Sequence, residues 1–198
     1  MNLPNAVTLS RIFLIPVLVA LLLTKYSVLI AAIVFLAASL TDYLDGYLAR
    51  SRNQVTTLGM LLDPVADKLL VSSAFISLVQ LQIVTAWMVV VIIGREFAVS
   101  GLRSIAASQG FTIDASDLGK VKMGAQVAAI TLLILGSQYP VFYKAGYIAL
   151  WVVVLFAILS AVDYFRTFWS KIDDQFKAKE RQRHTLLKES QDRHAPTP

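Results

Sequence analysis

Four aspartates carry the chemistry open to this chain. Asp42 and Asp45 are spaced i,i+3, and Asp63 and Asp67 i,i+4, so on helices each pair shares one face. Only eight residues separate Arg50 from Gly59. Antiparallel neighbours joined there bring the two acidic faces together. Both pairs border long apolar runs, and an aspartate at mid-bilayer costs roughly 2.5–3.5 kcal/mol. Four approach ~10–14 kcal/mol at that depth, against a typical total stability of ~5–15 kcal/mol. A position near the interface lowers this cost and like-charge repulsion raises it, so something cationic must sit among them. Lys68 and Arg50 neutralise part. Four carboxylates with so few bases point to divalent ions, and oxygen-only donors favour Mg²⁺ or Mn²⁺ over zinc. Helix-end acids capped by bases would not need matched faces. An ion or proton pathway, as in a transporter, is the other alternative. Against it stand Gly46 and Gly59, one turn from Asp42 and Asp63 on the same faces. They clear room for a bulky ligand beside the metals, or for close helix packing. Ala49 is similarly small, and Arg50 supplies a planar fork for phosphate.

The elements that position these residues are apolar and long. The chain has 198 residues, 57% hydrophobic and 16% charged, with a mean hydropathy of +0.65. Soluble domains carry about 25% charged residues, so an ordinary water-soluble globule is excluded. The absence of cysteine excludes disulfides, thiol nucleophiles and thiolate metal sites. Apolar runs cover about 11–23, 28–40 (continuing to 50), 59–79, 83–105, 121–135 and 141–168. Six spans of ~20 residues match the apolar content. No basic n-region precedes the first run and no small-x-small site follows it, so a cleavable signal is not expected. The first run is short unless Asn5 to Ser10 extends it, and residues 1–10 are expected as an interfacial lead-in to the first helix.

Charge gives the sides. Lys25 and Lys144 alone fall at the turns after spans one and five, whereas Arg50, Arg52, Arg103, Lys120, Lys122, Arg166 and Lys171 lie on the other side. By the positive-inside rule both termini and the second and fourth loops are cytoplasmic. From Lys171 the apolar period ends and charges of both signs mix, which predicts a frayed amphipathic helix followed by disorder. His184 and His194 fall there as solvated residues. The expected fold is therefore all-α, with six transmembrane helices around a polar, cytoplasm-facing metal site. Residues 1–170 form the membrane domain and 171–198 a charged cytoplasmic tail.

The string Asp42-x-x-Asp45-Gly46-x-x-Ala49-Arg50, then Gly59-x-x-x-Asp63-x-x-x-Asp67, resembles the CDP-alcohol phosphatidyltransferase signature at every position. The resemblance implies a homodimer in the cell membrane, two divalent metals, a CDP-linked donor and an alcohol acceptor. It implies Asp42, Asp45, Asp63 and Asp67 as metal ligands, and Asp67 also as the base that deprotonates the acceptor. Gly46, Ala49, Arg50 and a loop hydroxyl, Thr56, are the implied CDP site. The chemistry also stands by itself. Displacing CMP from a diphosphate puts charge on bridging and equatorial oxygens that two metals can clamp. A carboxylate one turn from Asp63 can take the alcohol's proton. Spacing alone does not tell which aspartate is base and which only ligand.

The second half bears on the acceptor. Arg95 and Arg103 are eight residues apart and share a helix face, and Lys120 and Lys122 open the following run at the same membrane side. Several cations near an aspartate cluster suggest a second phosphate, on the acceptor; positive-inside anchoring is the plainer alternative. Glu96 beside Arg95 is a candidate partner for a buried base. With Pro4-Asn5-x-x-Thr8-x-x-Arg11, these segments resemble the branch of the family that uses glycerol 3-phosphate and CDP-diacylglycerol, which implies phosphatidylglycerol phosphate and CMP as products. That branch has a hydroxyl residue after the second lysine, where this chain has Met123. Inositol phosphate, serine or phosphatidylglycerol are the other acceptors, and a divalent-cation transporter is the rival of another class. Membrane lipids are expected partners and nucleic acid is not.

Overall fold

The structure, a computed structural model, describes residues 3–24, 26–51, 57–111 and 118–193, with side chains at 9–24, 26–41, 65–111, 123–173 and 177. It is all-helical. The elements are α1 (Leu3–Thr24), α2 (Val28–Ser51), α3 (Thr57–Gln80), α4 (Ala86–Ser108), α5 (Leu118–Gly136) and α6 (Pro140–Arg193), with no strand among the described residues. Two helices run past their apolar runs. Residues 3–10 are helical and continue directly into the first run, which lengthens it; Pro4 falls in the first turn, where its missing N–H costs nothing. At the other end, α6 runs through the onset of charge at Lys171 without a break and continues to Arg193.

The helix ends follow from local chemistry. Ser27 caps α2: its hydroxyl accepts from the Ile30 N–H at 3.3 Å, and its carbonyl from Ala31 at 3.0 Å. α4 stops in a Schellman turn, where Gly110 at φ 80° lets the Phe111 N–H reach Ala106 and its own N–H reach Ala107. α3 stops in the same way, but the left-handed residue is Gln82 at φ 58°, with Ile83 N–H on Leu78 and Gln82 N–H on Val79. Pro140 opens α6. At the α5–α6 turn, a Cβ on Gly146 would stand 2.9 Å from the Leu133 backbone nitrogen, and one on Gly136 2.7 Å from the Tyr143 Cα. Only glycine allows that approach.

The described fold divides into two compact units, Met1–Phe97 with Ala115–Ile158, and Ala98–Asp114 with Leu159–Pro198. In the first, α1 packs on α2 and α3, α2 on α3 and α5, and α3 on α5. Phe35, Phe75, Leu18, Leu70, Leu78 and Ile130 fill its centre, joined by Met88 and Ile92 from α4 and Leu150 and Val153 from α6. These helices are apolar outside as well. On α2, Ala31, Phe35 and Ala38 are buried, while Leu29, Ile33, Leu36 and Leu40 on the other face are exposed. A helix apolar all round is suited to lipid rather than to water. Among the described residues, the segment Pro140–Asp173, 34 residues containing an 18-residue window of mean hydropathy 2.4, is long and apolar enough to cross a bilayer, whereas Leu9–Thr24, Val28–Thr41 and Met123–Gly136 are shorter apolar stretches. In the second unit Val99, Ala106, Tyr164 and Phe168 are buried. The Phe111 and Phe168 rings meet there at 6.2 Å.

Candidate active site

Asp42, Asp45, Gly46, Ala49 and Arg50 fall in the last three turns of α2, and Asp63 and Asp67 in the first half of α3. These two helices pack against each other. The helical backbone thus gives Asp42, Asp45 and Ala49 one face of α2, and Gly59, Asp63 and Asp67 one face of α3. Thr56 lies outside the described residues. So do the side chains of Asp42, Asp45, Ala49, Arg50, Asp63, Lys120 and Lys122. Asp67 is the signature carboxylate with a described side chain, and it is half-buried. Among the described residues no group of three or more acids or histidines gathers to hold a metal. The fit to a cation therefore rests on the donor chemistry: four carboxylates, all hard oxygen ligands, on two helices in contact.

The second-half residues have described neighbours. In the first unit, Arg95 Nη1 donates to both carboxylate oxygens of Glu96, at 3.4 and 3.5 Å. From α5, Gln126 Nε2 donates to Glu96 Oε1 at 3.5 Å. Gln126 is only 5% exposed, and the Arg95 side chain 10%. Glu96 is thus the partner of a buried base, that base being its own neighbour. Arg11 is also buried, at 3% exposure, on α1. In the second unit, Arg103 donates from Nη2 to the Tyr164 hydroxyl, and its guanidinium sits 5.0 Å from the centre of that ring. Lys120 and Lys122 lie in the first two turns of α5.

Gln126 and Tyr164 were not expected from sequence. Gln126 had a signal: it is an amide inside an apolar run, one turn after Lys122. Tyr164 had none, since one tyrosine near the end of an apolar run reads as interfacial. A cavity of about 370 Å³ also opens in the first unit, lined by Leu22, Ser27, Leu78, Ile134 and Gln138 among others. It lies at the opposite ends of α2 and α3 from the aspartates. Among the described residues no charged group lines it.

Residues 1–159 match the CDP-alcohol phosphatidyltransferase family, and the chain belongs to it. Among curated proteins it is similar to the CDP-diacylglycerol–glycerol-3-phosphate 3-phosphatidyltransferase of Bacillus subtilis (strain 168). The two are 44% identical over 188 residues, covering 86% of this chain and 97% of the relative. Proteins of the same name from Rickettsia typhi, at 39% identity over 83% of this chain and 96% of the relative, and from Escherichia coli (strain K12), at 37% over 88% and 98%, are also similar.

Proposed function

We propose that this protein transfers a phosphatidyl group from CDP-diacylglycerol to sn-glycerol 3-phosphate, releasing CMP and forming phosphatidylglycerol phosphate. The observation that carries the proposal is the complete aspartate signature on two packed helices, in a chain similar over 86% of its length to a relative named for that reaction. Asp42, Asp45, Asp63 and Asp67 would hold two divalent ions, Mg²⁺ or Mn²⁺. Bound there, such ions supply charge stabilisation for the diphosphate oxygens.

The chain's own residues do the rest. Gly46 and Ala49 leave space beside the acids for the cytidine diphosphate, while Arg50 and Thr56 bind it. Arg95, Arg103, Lys120 and Lys122 take the phosphate of the acceptor, and Arg95 is steadied by Glu96, which Gln126 bonds in turn. The acceptor hydroxyl attacks the phosphorus that carries the diacylglycerol. Its proton passes to Asp67, and the bond to the CMP phosphate breaks.

The molecule that does this sits in the cell membrane as a homodimer of six-span protomers, with both termini in the cytoplasm and residues 171–198 as a charged tail. Support for the spans comes from the exposed apolar face of α2 and from the 34-residue apolar stretch of α6. The test is CMP release by the purified protein with CDP-diacylglycerol and Mg²⁺ or Mn²⁺, across glycerol 3-phosphate, inositol phosphate, serine and phosphatidylglycerol. Release with glycerol 3-phosphate alone is expected. Release with another acceptor in its place would reassign the substrate. Cation flux without CMP would leave a transporter.

A further inference from the structure

Tyr164 is a buried phenol that the proposed chemistry does not use. It is 5% exposed on α6, whereas Arg103 on α4 is exposed. A phenylalanine would fill the same space without an O–H to desolvate, so a buried tyrosine is favoured only where its hydroxyl has a partner. Arg103 is such a partner twice over. Its Nη2 donates to the hydroxyl, and its guanidinium carbon lies 5.0 Å from the ring centre, within cation–π range. These two contacts hold the guanidinium against the Tyr164 ring and its hydroxyl. A guanidinium has five N–H donors in a rigid fork, so others remain for a second acceptor. Paired recognition of phosphate depends on the orientation of that fork. An arginine ordered before the ligand arrives loses less freedom on binding.

We propose that Tyr164 is a positioning residue for the acceptor: it holds the Arg103 guanidinium in the orientation that takes the acceptor's phosphate. The inference rests on the assignment of Arg103 to glycerol 3-phosphate above. A ring that merely packs would make Tyr164→Phe silent. A hydroxyl that aims Arg103 would not.

The test is steady-state kinetics of the full chain in detergent micelles, varying glycerol 3-phosphate and CDP-diacylglycerol in turn. The variants are Tyr164→Phe, Tyr164→Leu, Arg103→Ala and Arg103→Ala/Tyr164→Phe. Tyr164→Phe is expected to raise KM for glycerol 3-phosphate about 3- to 10-fold, the worth of one hydrogen bond, with KM for CDP-diacylglycerol within about twofold. Tyr164→Leu, which also loses the ring face, should raise it further. In the Arg103→Ala background, Tyr164→Phe should add nothing, because the group it positions is gone. An unchanged glycerol 3-phosphate KM in Tyr164→Phe, beside a raised one in Arg103→Ala, overturns the positioning role and leaves the acceptor assignment standing. An unchanged value in Arg103→Ala overturns that assignment and the inference with it. Equal rises for both substrates in Tyr164→Phe, or an additive double variant, mark Tyr164 as a general support of the fold and overturn the inference. Because Tyr164→Phe keeps the buried ring, its KM for CDP-diacylglycerol also reports whether it has folded.

Discussion

Asp67 differs from its companion aspartates in what an isosteric amide removes. Asn keeps the shape of the side chain but cannot take a proton at neutral pH. Loss of a general base typically lowers the rate by ~10²–10⁴. Asp67→Asn is therefore expected to abolish transfer while CDP-diacylglycerol binding stays largely intact. On the proposed assignment, Asp42→Asn and Asp63→Asn would each remove a charged ligand from a hard cation, so their activity should recover in part at high Mg²⁺. Donor binding and turnover for the three variants, measured across a metal titration, separate these behaviours. Near wild-type turnover of Asp67→Asn at saturating metal would leave that residue a ligand's role alone. The aspartates owe their legibility to local spacing: i,i+3 and i,i+4 pairs declare a shared face before any fold is known.

The helices carry a paired test of opposite sign in their two Schellman turns. Gly110 stands at φ 80° with open space around a Cβ. Gly110→Ala should accordingly lower stability through conformation alone, by about 1 kcal/mol. Gln82 occupies the equivalent position at φ 58° with a side chain. Gln82→Gly should relieve the same strain and raise stability by a similar ~1 kcal/mol, less the added freedom of the unfolded glycine. Thermal unfolding in one detergent measures both. A fall in both variants would mean that the Gln82 side chain holds its turn by a contact worth more than its strain. The end of α6 obeys another rule. A change from apolar to charged residues at Lys171 marks where the solvent changes, and Ile172-Asp173-Asp174-Gln175 continues the helix because nothing in it breaks one.

For the whole molecule, the distribution of charge predicts sidedness. The chain has no cysteine, so single-cysteine variants are labelled at one place each. Cysteines replacing Arg52 and Ser190 should react with an impermeant maleimide only from the cytoplasmic face, and one replacing Lys144 only from outside. Labelling of positions 52 and 144 from the same side would remove the six-span arrangement, and with it the antiparallel meeting of the two acidic faces. The exposed apolar residues on α2 and α3, Leu36, Leu40, Leu69 and Ile76 among them, are what lipid contact requires of such a molecule.

Short-range features were open to the sequence alone. The aspartate signature, the all-helical architecture and the approximate ends of α2 to α5 depend on spacing within a few turns, on hydropathy and on charge, which any segment carries with it. The partners of the second-half cations needed the folded chain. Gln126 reaches Glu96 across 30 residues, and Tyr164 meets Arg103 across 61. No periodicity links positions so far apart; only the folded chain brings each pair into reach. The same holds for Gly146, which reads as a weak point in an apolar run until the backbone of α5 lies 2.9 Å from where its Cβ would be. Local pattern chose the helices and the carboxylates, while helix packing chose which polar groups meet, because a side chain's partner depends on the neighbouring helix that its own sequence does not contain.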